Sequence, residues 1–238
     1  MRVRRLLLAS AGAVAISCAG GGAAAPRSTA ATDYRIPLSS PDELIVKGVE
    51  ARAAEYSGKH AVRLIEGPGN KEGDTLALLP KPSFQDGTID VDVVGRPRPG
   101  GFEGARGFVG VLFRSSPDAS SYECIYLRPT NGRADDQLRR NHSTQYISEP
   151  GFEFDRLRKE APGVYESYVD LEPGVWTHLR IEVSGVRARL FVNGTAQPVL
   201  IVNDLKHGVT SGQVGLWIGV GTEAFFSELR IRSFPSHG

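Results

Sequence analysis

Strict alternation of apolar and polar residues recurs along this chain and confines it to folds made of strands that bury one face. Thr88-Ile89-Asp90-Val91-Asp92-Val93 alternates without error, and so does His178-Leu179-Arg180-Ile181-Glu182-Val183. Val186–Val192 sets Ala188, Leu190 and Val192 on one face and Arg187, Arg189 and Phe191 on the other. Gly107–Arg114 is mostly apolar, as in a strand covered on both faces. Pro198–Val202, Gln213–Gly219 and Phe225–Arg232 are further runs, each bounded by turn residues. Ser184-Gly185 and Asn193-Gly194 read as hairpin turns, where positive φ is tolerated. No window beyond the first residues sustains a helical stripe for three turns. The nearest, Asp155–Glu160, is all charge but for Leu157. The 28 Gly and 15 Pro of the 238 residues are the punctuation of such strands. Short strands with turns every 8–12 residues or so imply an all-β sandwich or barrel. An apolar fraction of 40% supplies a core and argues against disorder. A formal net charge of +1 lacks the electrostatic footprint of a nucleic-acid binder.

The first residues read as an address. Met1–Arg5 carries three arginines, and Leu6–Ser17 is a charge-free run of 12 residues, too short to span a bilayer. Ala15-Ile16-Ser17-Cys18 resembles a bacterial lipobox, with Ala15 where Leu is usual; cleavage after Ala23 or Ala25 is the alternative. The expected organisation is a signal over residues 1–18, a flexible tether over 19–40, and one sandwich over 41–238. The protein is then exported to the periplasm or outer cell surface, as a lipoprotein held through Cys18 or as a soluble form. With Cys18 lipidated or removed, Cys124 is alone, and it reads as a buried inert thiol rather than a nucleophile.

The last third reads Trp176-Thr177-His178-Leu179-Arg180-Ile181-Glu182-Val183, then Ala188-Arg189-Leu190-Phe191-Val192-Asn193-Gly194. Gly212-Gln213-Val214-Gly215-Leu216-Trp217 and Ala224-Phe225-Phe226-Ser227-Glu228-Leu229-Arg230-Ile231 follow. This order resembles the concanavalin A-like jelly roll, including laminin G-like domains and bacterial domains of the 3-keto-disaccharide hydrolase type. The resemblance covers roughly Phe84–Phe234, with Leu44–Leu79 expected to supply the remaining outer strands. It implies a two-sheet sandwich whose concave face often receives sugar. It leaves open an enzyme acting on a saccharide, a lectin-like glycan-binding module, or an adhesion domain.

Almost 50 residues between the run ending near Leu127 and Trp176 form a long polar insertion. A loop of that length in a compact domain is usually functional or disordered. Its aromatics (Tyr146, Phe152, Phe154, Tyr165, Tyr168) argue for an ordered rim over one sheet face. Sugars offer hydroxyl pairs and flat C–H faces, which arginine, amide and carboxylate groups and aromatic rings recognise. Arg128, Asn131, Arg133, Asp136, Arg140, Gln145 and Tyr146 are therefore candidate substrate-binding residues, with Tyr126, Trp217 and Glu223 from flanking strands. His142, Glu166 and Asp170 are the candidates for proton transfer. The competing reading is an internal ion-pair network, since Arg128–Asp170 holds seven basic and eight acidic residues. Asp90 and Asp92 share a strand face, as paired carboxylates of jelly-roll hydrolases do, but Val94 takes the third alternate position. Trp217, flanked by Gly215 and Gly219, either receives a flat ligand or packs between the sheets. No metal-ligand spacing or cofactor motif is present, and a single Ca²⁺ on scattered oxygens stays open. The expected partner is a saccharide, with no nucleic acid and no membrane contact beyond a lipid anchor; oligomeric state is not legible.

Overall fold

The computed structural model describes residues 31–68, 75–101 and 103–234. The expected signal, Cys18 included, lies outside the described residues. Strands β1 (Thr32–Ile36), β2 (Ile45–Lys47), β3 (Val49–Tyr56), β4 (Lys59–Glu66) and β5 (Leu76–Leu78) come first. Next are β6 (Gly87–Pro97), β7 (Val109–Ser115) and β8 (Tyr122–Leu127). Helices α1 (Pro129–Gly132) and α2 (Gln137–Asn141), strand β9 (Thr144–Glu149), helix α3 (Phe154–Glu160) and strand β10 (Glu166–Ser167) make up the insertion. The chain closes with β11 (Thr177–Ser184), β12 (Arg187–Val192), β13 (Leu200–Val202), β14 (Gln213–Ile218) and β15 (Thr222–Ser233).

These strands form the expected two-sheet jelly-roll sandwich. One sheet has eight strands in the order β13-β12-β11-β6-β15-β4-β3, with β1 also on β15; the other has seven, β10-β9-β8-β7-β14-β5-β2. Their ladders are antiparallel. The core lies between them, because alternation turns one residue in two inward. Ile89, Val91, Val93, Leu179, Ile181, Val183, Leu190 and Phe226 come from the eight-stranded sheet. Val109, Val111, Phe113, Ile125, Leu127, Val214, Leu216 and Ile218 face them from the other. Every residue of β7 and β8 is buried, as the apolar run over 107–114 implied. The outward side of those strands is covered by a second apolar cluster of Leu76, Leu78, Leu112, Tyr122, Cys124 and Tyr126.

Three boundaries differ from expectation. The sandwich begins inside the expected tether: Thr32–Ile36 pairs with Ser233–Leu229, and Ile36 and Leu38 are buried. A five-residue partner nearly 200 positions away leaves no local signal. The β11–β12 turn is Gly185-Val186, one residue later than Ser184-Gly185, and Gly185 supplies its positive φ of 57°. The insertion, in turn, extends the seven-stranded sheet between its short helices: β9 pairs along all of β8, and β10 pairs with β9.

Candidate functional site

One lateral row crosses the outward face of the seven-stranded sheet. Trp217 pairs with Gly110, Gly110 with Tyr126, Tyr126 with Gln145, and Gln145 with Glu166. Directly paired residues share a face, so residues spread over more than 100 positions stand side by side. Gly110 is the small member that lets the large ones meet. A Cβ there would lie 2.4 Å from both the Ile125 carbonyl oxygen and the Tyr126 Cβ. Across that gap the Tyr126 and Trp217 rings lean together, centroids 4.6 Å apart. Trp217 is half-buried on this outward face; Val214, Leu216 and Ile218 take the inward positions.

Arg128 organises the insertion end of the row. Its Nη1 donates to Glu166 Oε1 at 3.0 Å; its Nη2 donates to the Tyr126 hydroxyl and to Gln145 Oε1, each at 3.0 Å. The guanidinium sits against the rings of Phe108, Tyr126 and Phe154, 5.1–5.5 Å from their centroids. Arg158, on α3, donates from Nε to Glu166 Oε2 at 2.9 Å and from Nη2 to Oε1. His142 Nε2 lies 3.5 Å from Glu166 Oε2. The carboxylate of Glu166 is thus 2% exposed and gripped by two arginines. Burial pushes its pKa up, but the Arg158 and Arg128 hydrogen bonds outweigh burial and hold it below the ordinary value. Burial lowers the His142 pKa; Glu166 opposes this, Arg158 and Arg128 reinforce it, and the imidazole is neutral at neutral pH. Burial pushes the Tyr126 phenol up to about 12.

A cleft of about 620 Å³ opens beside this cluster. His142, Glu166 and Arg158 contribute its polar lining; Leu138 and Tyr168, both exposed, contribute apolar walls. Arg140 donates to the Tyr168 hydroxyl at 3.0 Å and packs over its ring, fixing that wall. Asn131 donates to the His142 carbonyl oxygen at 3.1 Å, which anchors the imidazole-bearing turn.

The structure therefore brings together Tyr126, Arg128, Gln145, Glu166, His142 and Trp217, with Asn131 and Arg140 behind them. It separates the rest. Tyr146 is on the inward parity of β9: fully buried, it donates to Glu123 Oε2 at 2.5 Å and accepts from the Lys206 amide, so it cannot meet a ligand. Asp136 caps α2, accepting from the Arg139 amide at 2.9 Å. Asp170 and Arg133 form an exposed pair at 2.8 Å, and Arg133 also reaches Glu172 at 2.6 Å. Hydrogen bonding to Arg133 holds the Asp170 carboxyl low. Glu223 lies on the outward face of the other sheet, bound by Arg63 at 2.6 Å and Arg96 at 2.7 Å, and does not reach this rim. Asp90 and Asp92 are on that other sheet too, both against His178. Sequence reasoning missed Arg158, Phe108 and Leu138. Arg158 sits in a charged run that carries no local sign of its partner, and Phe108 was absorbed into an apolar strand.

Among the described residues, no three His, Cys, Asp or Glu side chains converge to hold a metal. No protein-family model matches the sequence, and no curated protein matches it. Solved structures do. A Bacillus subtilis protein of unknown function with a galectin-like fold superposes with a TM-score of 0.57 at 13% identity, over 86% of this chain and 96% of that one. The carbohydrate-binding module CBM66 from Bacillus subtilis gives 0.50 at 16% identity, over 77% and 94%. A structure described as a native glycosidic hydrolase gives 0.50 at 13%, over 87% and 97%. At such identities the likeness is one of fold, and the fold is the concanavalin A-like jelly roll.

Proposed function

We propose that this protein is a carbohydrate-binding domain that holds a saccharide, without cleaving it, in the cleft between Tyr168, Leu138, His142 and Glu166. The observation that carries this reading is the state of the two candidate acids. Glu166 and Asp170 are each held ionised by arginine, and glycoside hydrolysis needs one carboxyl able to donate a proton to the leaving oxygen. The buried Glu166 carboxylate, filled by its two arginines, instead fixes the cleft wall, and exposed Asn141 on that wall offers an amide to sugar hydroxyls. Neutral His142 adds a hydrogen-bonding nitrogen, and Tyr168 offers a flat face to the ring. The solved relatives whose names refer to carbohydrate binding or glycosidic hydrolysis support a sugar-related role of this fold. We further propose that the domain is exported and displayed on a lipid anchor at Cys18, with residues 19–31 as tether.

A glycan array followed by calorimetric titration of its hits tests the reading. Wild type is expected to bind a saccharide and to leave it intact after prolonged incubation. Tyr168→Ala should weaken binding about twofold to twelvefold, the worth of one aromatic face at about 0.5–1.5 kcal/mol. Release of reducing ends that disappears in Glu166→Gln and in His142→Ala would replace this reading with a hydrolase.

A further inference from the structure

The arginines of the insertion are largely engaged by their own carboxylates and rings, but Arg187 and Arg189 of β12 are not. On the outward face of the eight-stranded sheet, Arg189, Glu182, Thr88 and Arg232 form one row of paired residues. Phe191, Arg180, Asp90 and Arg230 form the next. A cleft of about 370 Å³ is lined by Thr88, Arg180, Glu182, Arg187, Arg189 and the exposed ring of Phe234. A second, of about 440 Å³, shares Arg180 and Glu182 with it and continues toward Asp90, His178 and Phe191. Arg180 is satisfied by Glu182 at 2.8 Å; among the described residues no carboxylate pairs with Arg187 or Arg189. Two buried polar atoms are also orphaned here. Thr88, 4% exposed, has a hydroxyl without a partner, and so has the Nε of Arg180. Buried polar atoms are ordinarily hydrogen-bonded, so orphans lining a cleft mark a position for an external partner.

We propose that this furrow is a second binding site, independent of the Glu166 cleft, and that it takes an acidic glycan. A carboxylate or sulfate on the sugar would be held by Arg187, Arg189 and the Arg180 edge, whose planar forks match an oxyanion bidentately. Phe234 and Phe191 offer ring faces to the sugar C–H surface. Glu182 and Asp90, within the same furrow, accept sugar hydroxyls, and they would repel a uniformly charged polyphosphate. Alternation of cation and acid suits a chain with hydroxyls everywhere and anions at intervals. The two joined clefts suit more than one ring.

Affinity electrophoresis and calorimetry of the full domain distinguish the possibilities, with polygalacturonate as the carboxylate probe, dextran sulfate as the sulfate probe and dextran as the neutral control. At least one acidic probe is expected to bind and to weaken as salt rises, with dextran silent. Arg187→Gln/Arg189→Gln should lose at least tenfold in affinity with an unchanged melting temperature, since both side chains are exposed. Thr88→Val, similar in size, should weaken binding severalfold. Tyr168→Ala should leave acidic-probe binding intact, which separates this site from the proposed saccharide cleft. Unchanged affinity in the double variant, absence of binding by both acidic probes, or equal binding of duplex DNA would each overturn the assignment.

Discussion

Glu166→Gln is the sharpest test of how the insertion is held. The substitution keeps the size of the side chain and removes its charge. The Glu166 side chain is 2% exposed and Arg128 is 5% exposed, so the lost attraction is not replaced by water. Removing one partner of a buried pair costs about 3–5 kcal/mol, because the other charge is left buried and uncompensated. Arg158 is 37% exposed and can rehydrate, and Arg128 keeps the Tyr126 hydroxyl and Gln145. Those facts place the expected loss near the lower end, about 3 kcal/mol. For a domain of this size that is a fall in melting temperature of roughly 6–12 °C. Urea unfolding followed by circular dichroism reads it as a shift in midpoint at constant m-value. The pH dependence supplies an independent check. The folded pKa of Glu166 is depressed, so its contribution is present above the unfolded carboxylate value, about 4.3, and is lost as pH falls through the folded value. The gap between wild type and variant should therefore close below about pH 4. A loss under about 1 kcal/mol at pH 7, the range of a surface pair, would show that the Arg128–Glu166–Arg158 cluster does not hold β10 and α3 in place.

Gly110→Ala should cost about 1–3 kcal/mol through overpacking, since its Cβ meets Ile125 and Tyr126 at 2.4 Å, and should change the near-ultraviolet signal of Tyr126 and Trp217. Hydrogen bonds to Asp90 and Asp92 raise the His178 pKa to about 9. Its stabilising effect is then full below the unfolded value, about 6.5, and is lost as pH rises through about 9. A proton-NMR titration should find that value in wild type and a lower one in Asp92→Asn; a wild-type value near 6.5 contradicts the pairing. Burial pushes the Cys124 thiol well up, so it should react with a disulfide reagent only after denaturation.

The strands were legible because their signal is local. A period of two in Thr88–Val93 or His178–Val183 follows from the pleat alone and needs no knowledge of the partner. The aromatics of the insertion correctly implied order, and its balanced charges correctly implied internal pairs. The partners within those pairs were not legible. Glu166 is gripped by Arg158, eight residues away, and by Arg128, thirty-eight away; Asp170 was drawn off to Arg133 at the surface. Tyr146 looked as suitable for sugar as Tyr126, since both are tyrosines in the same polar neighbourhood. Strand parity separates them: Tyr126 pairs with Gln145, so the next residue along β9 must face the core.

Alternation and turn residues are properties of short windows, and from them the sequence by itself determined an all-β sandwich with a long polar insertion. Which sheet face each polar residue reached, and beside which neighbour, was decided only by cross-strand register. Register is set by packing two sheets over a common core, and a slip of one residue would exchange the two faces. For that reason Trp217 and Glu223, six positions apart and both assigned to one rim, stand on opposite outer faces of the molecule.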